Sequence, residues 1–176
     1  PKLIGNIVYK IKDCKLIFLS TIGVYGSYTK NEELINENSK ICPENSYSLT
    51  KFLAEEELKR IFIKRKKNLV ILRPPLIYGN NAPGNFGKLI KLIDLGIPLP
   101  FAKINNKRSF LSINTLSNIL KNIIKKENFD GGTYVIADKE HISTNELIYL
   151  IAKIRNKRVI LFSVSNKILK LFIKIN

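Results

Sequence analysis

Three features of the sequence predict an α/β fold with parallel strand pairing. Short apolar runs, which are typical of buried strands, occur at residues 15–20, 68–74, 133–137 and 159–164. Segments with helical periodicity separate most of these runs, and strands that alternate with helices favour a parallel sheet. The chain has 176 residues, of which 45% are hydrophobic, and this is enough to form a core.

The first half of the chain contains two predicted strands with a helix between them. The run at 15–20 ends in small polar residues and leads into a polar loop at 27–43. A helix is predicted over 46–66, with an apolar stripe made of Leu53, Leu58, Ile61 and Phe62. The strand at 68–74 ends at prolines, which cannot continue its hydrogen bonding.

The second half continues the alternation of helices and strands. Gly96 and Pro98 end one predicted helix. Ser143 and Glu146 have the spacing of a capping box and begin another. The predicted elements are, in order, a loop at 80–84, a helix at 86–95, an extended segment at 108–113, a helix at 114–126, the strand at 133–137, a helix at 143–156, the strand at 159–164 and an amphipathic helix at 166–175.

The chain is strongly basic, with 30 Lys and Arg against 14 Asp and Glu and a formal net charge of +16. Such a charge is compatible with binding to nucleic acid or to an anionic membrane. The basic residues are spread along the chain together with many Ile and Asn, which favours a bias in codon use over a specific nucleic-acid partner. No apolar run approaches the ~20 residues that span a bilayer, so no transmembrane segment is predicted.

Cysteine, histidine and methionine are scarce. Cys14 and Cys42 stand alone in the sequence, which favours a reducing cytoplasmic location without disulfides. The single histidine, His141, argues against a multi-histidine site, and no metal is predicted. Because the chain begins at Pro1 and contains no Met, we expect it to be a segment of a longer protein.

The first candidate functional motif follows the first strand. Ser20 and Thr21 stand at its carboxyl end, followed by the sequence Val24-Tyr25-Gly26. Ligands of open α/β sheets bind at the carboxyl ends of the strands. The two hydroxyl side chains are therefore candidates for hydrogen bonds to a substrate, although a simple turn from strand to loop also accounts for them.

The second motif lies on the predicted helix. Tyr47 and Lys51 are four residues apart and share one helix face. A nearby ammonium favours the ionised form of a phenol, so such a pair can act as a general acid and base near neutral pH. By itself the spacing is weak, because it also arises by chance on solvated helices.

The third motif, Arg73-Pro74-Pro75-Leu76-Ile77-Tyr78-Gly79, follows the second strand. Arg73 is interpreted as a surface residue that forms an ion pair. The two prolines predict a rigid exit from the strand, where backbone groups can meet a ligand.

In this order and spacing, the three motifs resemble the NAD-dependent epimerase/dehydratase branch of the extended short-chain dehydrogenase/reductase superfamily. The resemblance continues through Asn85-Phe86, residues 96–100 and residues 107–110. It implies the C-terminal half of a Rossmann-type parallel sheet plus a smaller substrate-binding lobe. Residues 1–80 would be the second half of the dinucleotide-binding domain, and residues 81–176 mainly the nucleotide-sugar lobe with a returning strand.

The resemblance also implies an activity, namely NAD(P)-dependent oxidoreduction at C4 of a UDP-sugar for the synthesis of surface polysaccharide. A UDP-glucose 4-epimerase and a 4-keto-sugar reductase remain equally compatible with the same residues. Relatives are commonly homodimers built through a helix bundle that includes the Tyr–Lys helix. The implied roles are catalytic for Thr21, Tyr47 and Lys51, NAD or NADP binding for Ser20, Tyr47, Lys51 and Pro75, and substrate binding for Thr21, Asn85 and Arg108.

The chain also departs from the family pattern. The glycine-rich turn that seats the cofactor pyrophosphate is missing, since Gly5 is the only glycine before Gly23. Leu76 stands where many relatives have a polar substrate contact, and Ile22 after Thr21 argues against a dehydratase. We therefore expect a catalytic fragment without the main cofactor loop. The alternative is an inactive remnant of a broken epimerase gene.

Overall fold

The structure, a computed structural model, describes residues 15–29, 33–63, 69–79, 85–104, 106–126 and 129–164. Contact between segments divides the chain into two compact units. The first unit comprises Pro1–Ile77 and Leu111–Ala137, and the second Tyr78–Phe110 and Asp138–Asn176. The elements are β1 (Leu16–Leu19), a 3₁₀ helix (Ile22–Tyr25), α1 (Ser46–Ile61), β2 (Leu69–Arg73), β3 (Leu76–Tyr78), α2 (Asn85–Asp94), β4 (Arg108–Ser112), α3 (Ile113–Lys125), β5 (Gly132–Val135), β6 (His141–Ile142) and α4 (Thr144–Ile154).

The first unit is built on a three-stranded sheet with the order β1-β2-β5. Both pairings are parallel, with Leu16 opposite Leu69 and Val70 opposite Gly132. All five residues of the central strand β2 are buried, as expected for a parallel strand covered on both faces. The predicted α/β class with parallel pairing is confirmed.

Helices cover both faces of this sheet because the side chains of β2 alternate between them. Leu69 and Ile71 pack with Leu58 and Phe62 of the α1 segment. Val70 and Leu72 pack on the other face, together with Ile123 of α3. The apolar run at 69–72 is thus divided between two core clusters.

Helix α1 begins with a capping box, in which the Asn45 side chain accepts from the backbone of Ser48 and the Ser48 side chain accepts from that of Asn45. The helix ends at Ile61, and residues 64–68 of the predicted longer helix lie outside the described residues. The predicted apolar stripe is wrong at Leu53, which is 47% exposed. Glu55 is fully buried instead, because it has a charged partner on the neighbouring strand.

The second unit has a helical core. Helices α2 and α4 contribute Ile93, Ile148, Ile151 and Ala152 to one buried cluster together with Leu99. Helix α4 begins with the predicted capping box between Ser143 and Glu146. The predicted strand at 159–164 is wrong, because among the described residues this run forms an isolated bridge between Leu161 and Leu99 and joins neither sheet.

Strands β3, β4 and β6 form a second sheet in that order, with β4 and β6 antiparallel. Neither β3 nor β6 was predicted, since segments of three and two residues are too short to show a period. The predicted helix at 166–175, the loop at 80–84 and Cys14 lie outside the described residues. In the part of the chain that the structure describes, no helix combines the length and hydrophobicity needed to cross a membrane.

Candidate active site

The carboxyl end of β1 meets helix α1 through Lys51. The Lys51 ammonium donates a hydrogen bond of 2.9 Å to the carbonyl oxygen of Leu19, the last residue of β1. Its Nζ atom lies 5.1 Å from the ring centroid of Phe18 and 5.9 Å from that of Tyr47. Both distances are within the range of cation–π interactions. Lys51 therefore connects the Tyr47 face of α1 to the carboxyl edge of the sheet.

Tyr47 lies in the first turn of α1 and is 62% exposed. Within the described residues, no hydrogen bond joins its hydroxyl to Lys51 or to Thr21. The Tyr47 hydroxyl is thus accessible to a ligand, and its catalytic role stays a prediction.

Thr21 and Ser20 follow β1 directly. Thr21 is the N-cap of the 3₁₀ helix, and its Oγ1 accepts a hydrogen bond of 3.1 Å from the Gly23 backbone. A hydroxyl that accepts one bond can still donate its proton, so Thr21 can offer a hydrogen bond to a ligand oxygen. Ser20 is buried, and among the described residues its Oγ has no hydrogen-bond partner.

Backbone hydrogen bonds place the segment after β1 beside the end of β2. Ser20 N donates to Leu72 O at 2.8 Å, and Ile22 N donates to Pro74 O at 2.9 Å. Pro75 follows directly and is partly buried. The structure therefore brings Ser20, Thr21 and Pro75 to the same edge of the sheet as Lys51.

Arg73 does not lie on the surface, so the interpretation of this residue as a surface ion-pair partner is wrong. It is 3% exposed and forms a two-pronged ion pair with Glu55, with Nε–Oε1 at 3.1 Å and Nη2–Oε2 at 2.5 Å. Its Nη1 donates a hydrogen bond to the Tyr25 hydroxyl. A charge at the end of a buried strand needs such partners, because desolvation without them is unfavourable.

In the cluster of Tyr25, Glu55 and Arg73, the pKa values of Tyr25 and Arg73 lie above their ordinary values. Burial raises the pKa of Tyr25 above its ordinary value, and the Arg73 guanidinium offsets this only in part. Burial by itself lowers the pKa of Arg73, but the bonds to Glu55 and Tyr25 outweigh it and hold the pKa above its ordinary value. Arg73 is therefore charged and Tyr25 neutral at physiological pH.

The loop that follows Tyr25 contacts two parts of the first unit. Gly26 has a φ of +107°, a conformation that favours glycine, and the Cys42 backbone donates to Val24 O at 2.8 Å. Farther along the same loop, the Glu37 carboxylate accepts a 2.8 Å bond from the Val135 backbone at the end of β5. This bond lowers the pKa of Glu37 below its ordinary value.

The other two predicted site residues, Asn85 and Arg108, belong to the second unit. Asn85 begins α2, and Arg108 begins β4 with its guanidinium carbon 5.8 Å from the Phe110 ring centroid. Both side chains are exposed and so accessible to a ligand.

Tyr78 anchors an aromatic group in the second unit. Its ring lies 6.0 Å from Phe86 and 6.4 Å from Phe110 between centroids, and its hydroxyl donates to Asp138 at 3.1 Å. Burial, assisted by the Asp138 bond, raises the pKa of Tyr78.

A cavity of about 600 Å³ in the first unit contains none of the predicted site residues. It lies between the last turns of α1, which include Lys59, and Gly131–Thr133 at the start of β5. At 1.5 Å per residue, Lys59 is about 18 Å along the helix from Tyr47. Among the described residues, no group of three or more His, Cys, Asp or Glu is arranged to hold a metal ion.

Sequence reasoning missed Glu55 and assigned no role to Tyr25. One signal for Glu55 was available, since it follows Lys51 by four residues and so extends the Tyr47–Lys51 face. For Arg73 the signal was the continuous apolar run before it, which predicts burial of the residue at its end.

A parallel sheet with helices on both faces and polar side chains at its carboxyl edge defines the Rossmann-type class of α/β proteins. The model of the NAD dependent epimerase/dehydratase family matches residues 7–137. This match covers most of the chain, and the chain belongs to that family.

Three similar proteins illustrate the relationship. UDP-glucose 4-epimerase of Vibrio cholerae is 33% identical over 76% of this chain and 41% of that protein. N-acetyl-alpha-D-glucosaminyl-diphospho-ditrans,octacis-undecaprenol 4-epimerase of Escherichia coli O157:H7 is 28% identical over 82% of this chain and 43% of that protein. The crystal structure of UDP-glucuronic acid 4-epimerase from Bacillus cereus in complex with NAD has a TM-score of 0.75 at 25% identity, covering 90% of this chain and 53% of that one.

The chain thus spans less than half the length of these two curated relatives. The structural match confirms the predicted Rossmann-type fold.

Proposed function

We propose that this chain carries the proton-transfer centre of an NAD(P)-dependent enzyme that acts at C4 of a nucleotide sugar, with 4-epimerisation as the favoured reaction. The observation that carries the proposal is the position of Lys51, bonded to Leu19 O at 2.9 Å and 5.9 Å from the Tyr47 ring centroid. The names of the curated relatives favour epimerisation over 4-keto reduction. Because the chain spans only part of these relatives, the activity, substrate and cofactor of the whole protein all belong to the proposal.

The residues present fit the nicotinamide end of NAD or NADP and do not fit its pyrophosphate. Lys51 and Tyr47 lie at the sheet edge, and the buried Ser20 hydroxyl lacks a partner within the described residues. Pro75 adds backbone groups to the same edge. The glycine-rich turn for the pyrophosphate is missing from the sequence. A bound cofactor would supply hydride acceptance and return at C4.

The chain's own residues would manage the proton. The exposed Tyr47 side chain can remove a proton from the C4 oxygen as a phenolate and, once it is a phenol, give the proton back. The Lys51 ammonium would stabilise the negative charge of that phenolate. Thr21, whose hydroxyl proton is still available, would donate to the same substrate oxygen and hold it in place.

The proposed substrate is a UDP-sugar, and Asn85 and Arg108 are the residues proposed for its diphosphate. An exposed guanidinium suits this role, since its planar fork can bind phosphate oxygens in pairs. Arg108 can be tested separately from Tyr47, because it should affect substrate affinity more than the rate of the chemical step.

Two further features are part of the proposal. Leu49 and Leu53 are four residues apart on α1 and both are about half exposed, which supports a homodimer through this helix. Cys42 is a free, exposed thiol, consistent with a reducing cytoplasmic location.

The test measures conversion of UDP-glucose in the presence of NAD. The chain is assayed alone and fused to the part of the Vibrio cholerae relative that it does not span. In the fusion, we expect Tyr47→Phe to lower turnover by about 100-fold or more, the usual contribution of a general acid and base. Tyr149→Phe, which changes an exposed tyrosine of α4, is the matched control and should retain turnover.

Full activity of Tyr47→Phe would contradict the proposed role. A folded wild-type fusion without turnover would favour the alternative of an inactive remnant.

A further inference from the structure

The buried cluster of Tyr25, Glu55 and Arg73 joins the three segments that carry the predicted site residues of the first unit. Tyr25 belongs to the 3₁₀ helix after β1, Glu55 to α1, and Arg73 to the end of β2. Each is almost inaccessible to solvent, and the Arg73 guanidinium bonds to both of the others. The proposed chemistry uses none of the three.

Each member of the cluster is close in sequence to a residue of the proposed site. Glu55 is one helical turn after Lys51, Arg73 is two residues before Pro75, and Tyr25 is four residues after Thr21. A helix is stiff over one turn, so fixing Glu55 also fixes the position and direction in which the Lys51 side chain leaves the helix.

The geometry of the ion pair restricts the helix to one arrangement. A guanidinium that contacts both oxygens of a carboxylate determines orientation as well as distance. Buried ion pairs contribute little net stability compared with well-packed apolar residues of similar volume. The orientation that the pair imposes is therefore a better account of its presence here than the stability it adds.

We propose that Tyr25, Glu55 and Arg73 are positioning residues for the proton-transfer pair. They hold the face of α1 that carries Glu55, its inner face, against the carboxyl ends of β1 and β2. This keeps the Lys51 ammonium hydrogen-bonded to the Leu19 carbonyl and beside Tyr47. The inference rests on the proposed function for its purpose, but its structural content concerns only the placement of Lys51.

The experiment measures how fast lysine amines of the folded protein react with a dilute acylating reagent, residue by residue, by mass spectrometry. The test variant is the double substitution Glu55→Met with Arg73→Met. It replaces both charged side chains by apolar ones of similar volume and so removes the two-pronged ion pair. We expect Lys51 to react about fivefold faster, the change that loss of one typical hydrogen bond allows. Glu55→Gln, a neutral side chain of the same size, is measured in parallel and should give the same direction.

Two controls separate positioning from general loosening. Lys15 is the internal reference, because its amine also donates to a backbone carbonyl, that of Lys126 at 2.8 Å, in the same unit. The matched variant is Glu57→Gln with Arg60→Gln, which removes the exposed two-pronged pair of the same helix. Neither the Lys15 rate in the test variants nor the Lys51 rate in this control should change.

An unchanged Lys51 rate in a folded test variant would overturn the inference, and so would equal acceleration of Lys15 and Lys51. Neither result depends on turnover. The inference can therefore fail while the enzyme assay succeeds, and a selective effect on Lys51 would stand even if the chain proved inactive.

Discussion

The inner and outer faces of helix α1 each carry an Arg–Glu pair of nearly the same geometry. On the inner face, Glu55 meets Arg73 at 3.1 and 2.5 Å, with side chains 0% and 3% exposed. On the outer face, Glu57 meets Arg60 at 3.0 and 2.8 Å, with side chains 27% and 72% exposed. The glutamates are two positions apart in the sequence, yet the two pairs differ in their access to water.

Burial therefore determines what each pair does. Water screens the outer pair, and such pairs add little to stability. The inner pair is locked to a neighbouring strand and to Tyr25, so removing one partner leaves a charge without water or counter-charge. The outer pair joins two residues on the surface of the helix, whereas the inner pair connects the helix to the sheet.

The largest contrast is expected from removing one arginine at a time. Arg73→Met leaves the Glu55 charge buried and unpaired, and the free energy of unfolding should fall by about 3–5 kcal/mol. Arg60→Met, the matched control on the outer face, should leave it unchanged within error. Urea unfolding followed by circular dichroism measures both. Equal effects would show that burial does not distinguish the pairs.

A second contrast concerns leucines of the same helix. Leu58 is fully buried, and Leu58→Ala should lower the free energy of unfolding by about 2–5 kcal/mol through lost burial and a cavity. Leu53 is about half exposed, so Leu53→Ala should lower it by about 1 kcal/mol or less. The same urea measurement applies. A larger effect at Leu53 would indicate that this residue is covered in solution, for example by a second copy.

The cap at the start of α1 should contribute less to the stability of the fold than the buried Leu58 in the body of the helix. Asn45→Ala removes the side-chain acceptor of the capping box, at about 1 kcal/mol. Ser143→Ala removes the equivalent acceptor of α4 in the second unit and should have a similar effect. Thermal unfolding compares the two variants. No effect of Asn45→Ala would mean that tertiary contacts alone hold the first turn, which carries Tyr47.

The smallest effect is a pH dependence at the loop that holds the Tyr25 segment. The Val135 bond lowers the pKa of Glu37 in the folded state, so its stabilising effect is present above the ordinary pKa of a glutamate and is lost as pH falls through the folded pKa. Because Glu37 is exposed, the difference from Glu37→Gln should stay below about 0.5 kcal/mol.

Urea midpoints of both proteins between pH 3 and pH 7 measure this difference. It should be greatest near neutrality and vanish at the acid end. A gap that widened toward acid pH would contradict the assignment of the bond.

Helices with strong local signals were predictable. The helix predicted at 114–126 is α3, which begins at Ile113 with Ser112 as its N-cap, so the helix was found although its exact start was not. The capping box at Ser143 was found in place. The strand expected at 159–164 failed because an apolar run does not reveal whether a neighbouring strand is available to pair with it. The one bridge at Leu161 shows how little pairing that run obtains.

The sequence alone determined the α/β class, the Tyr47–Lys51 spacing and the order of the three motifs, because helical and strand periodicity and residue spacing are local properties of the chain. Only the tertiary structure decided that Arg73 is buried, that Glu55 is its partner and that Lys51 reaches the Leu19 carbonyl. These contacts join residues 18 and 32 positions apart. Which charge is shielded from water depends on how helices and strands pack, and no local pattern specifies that.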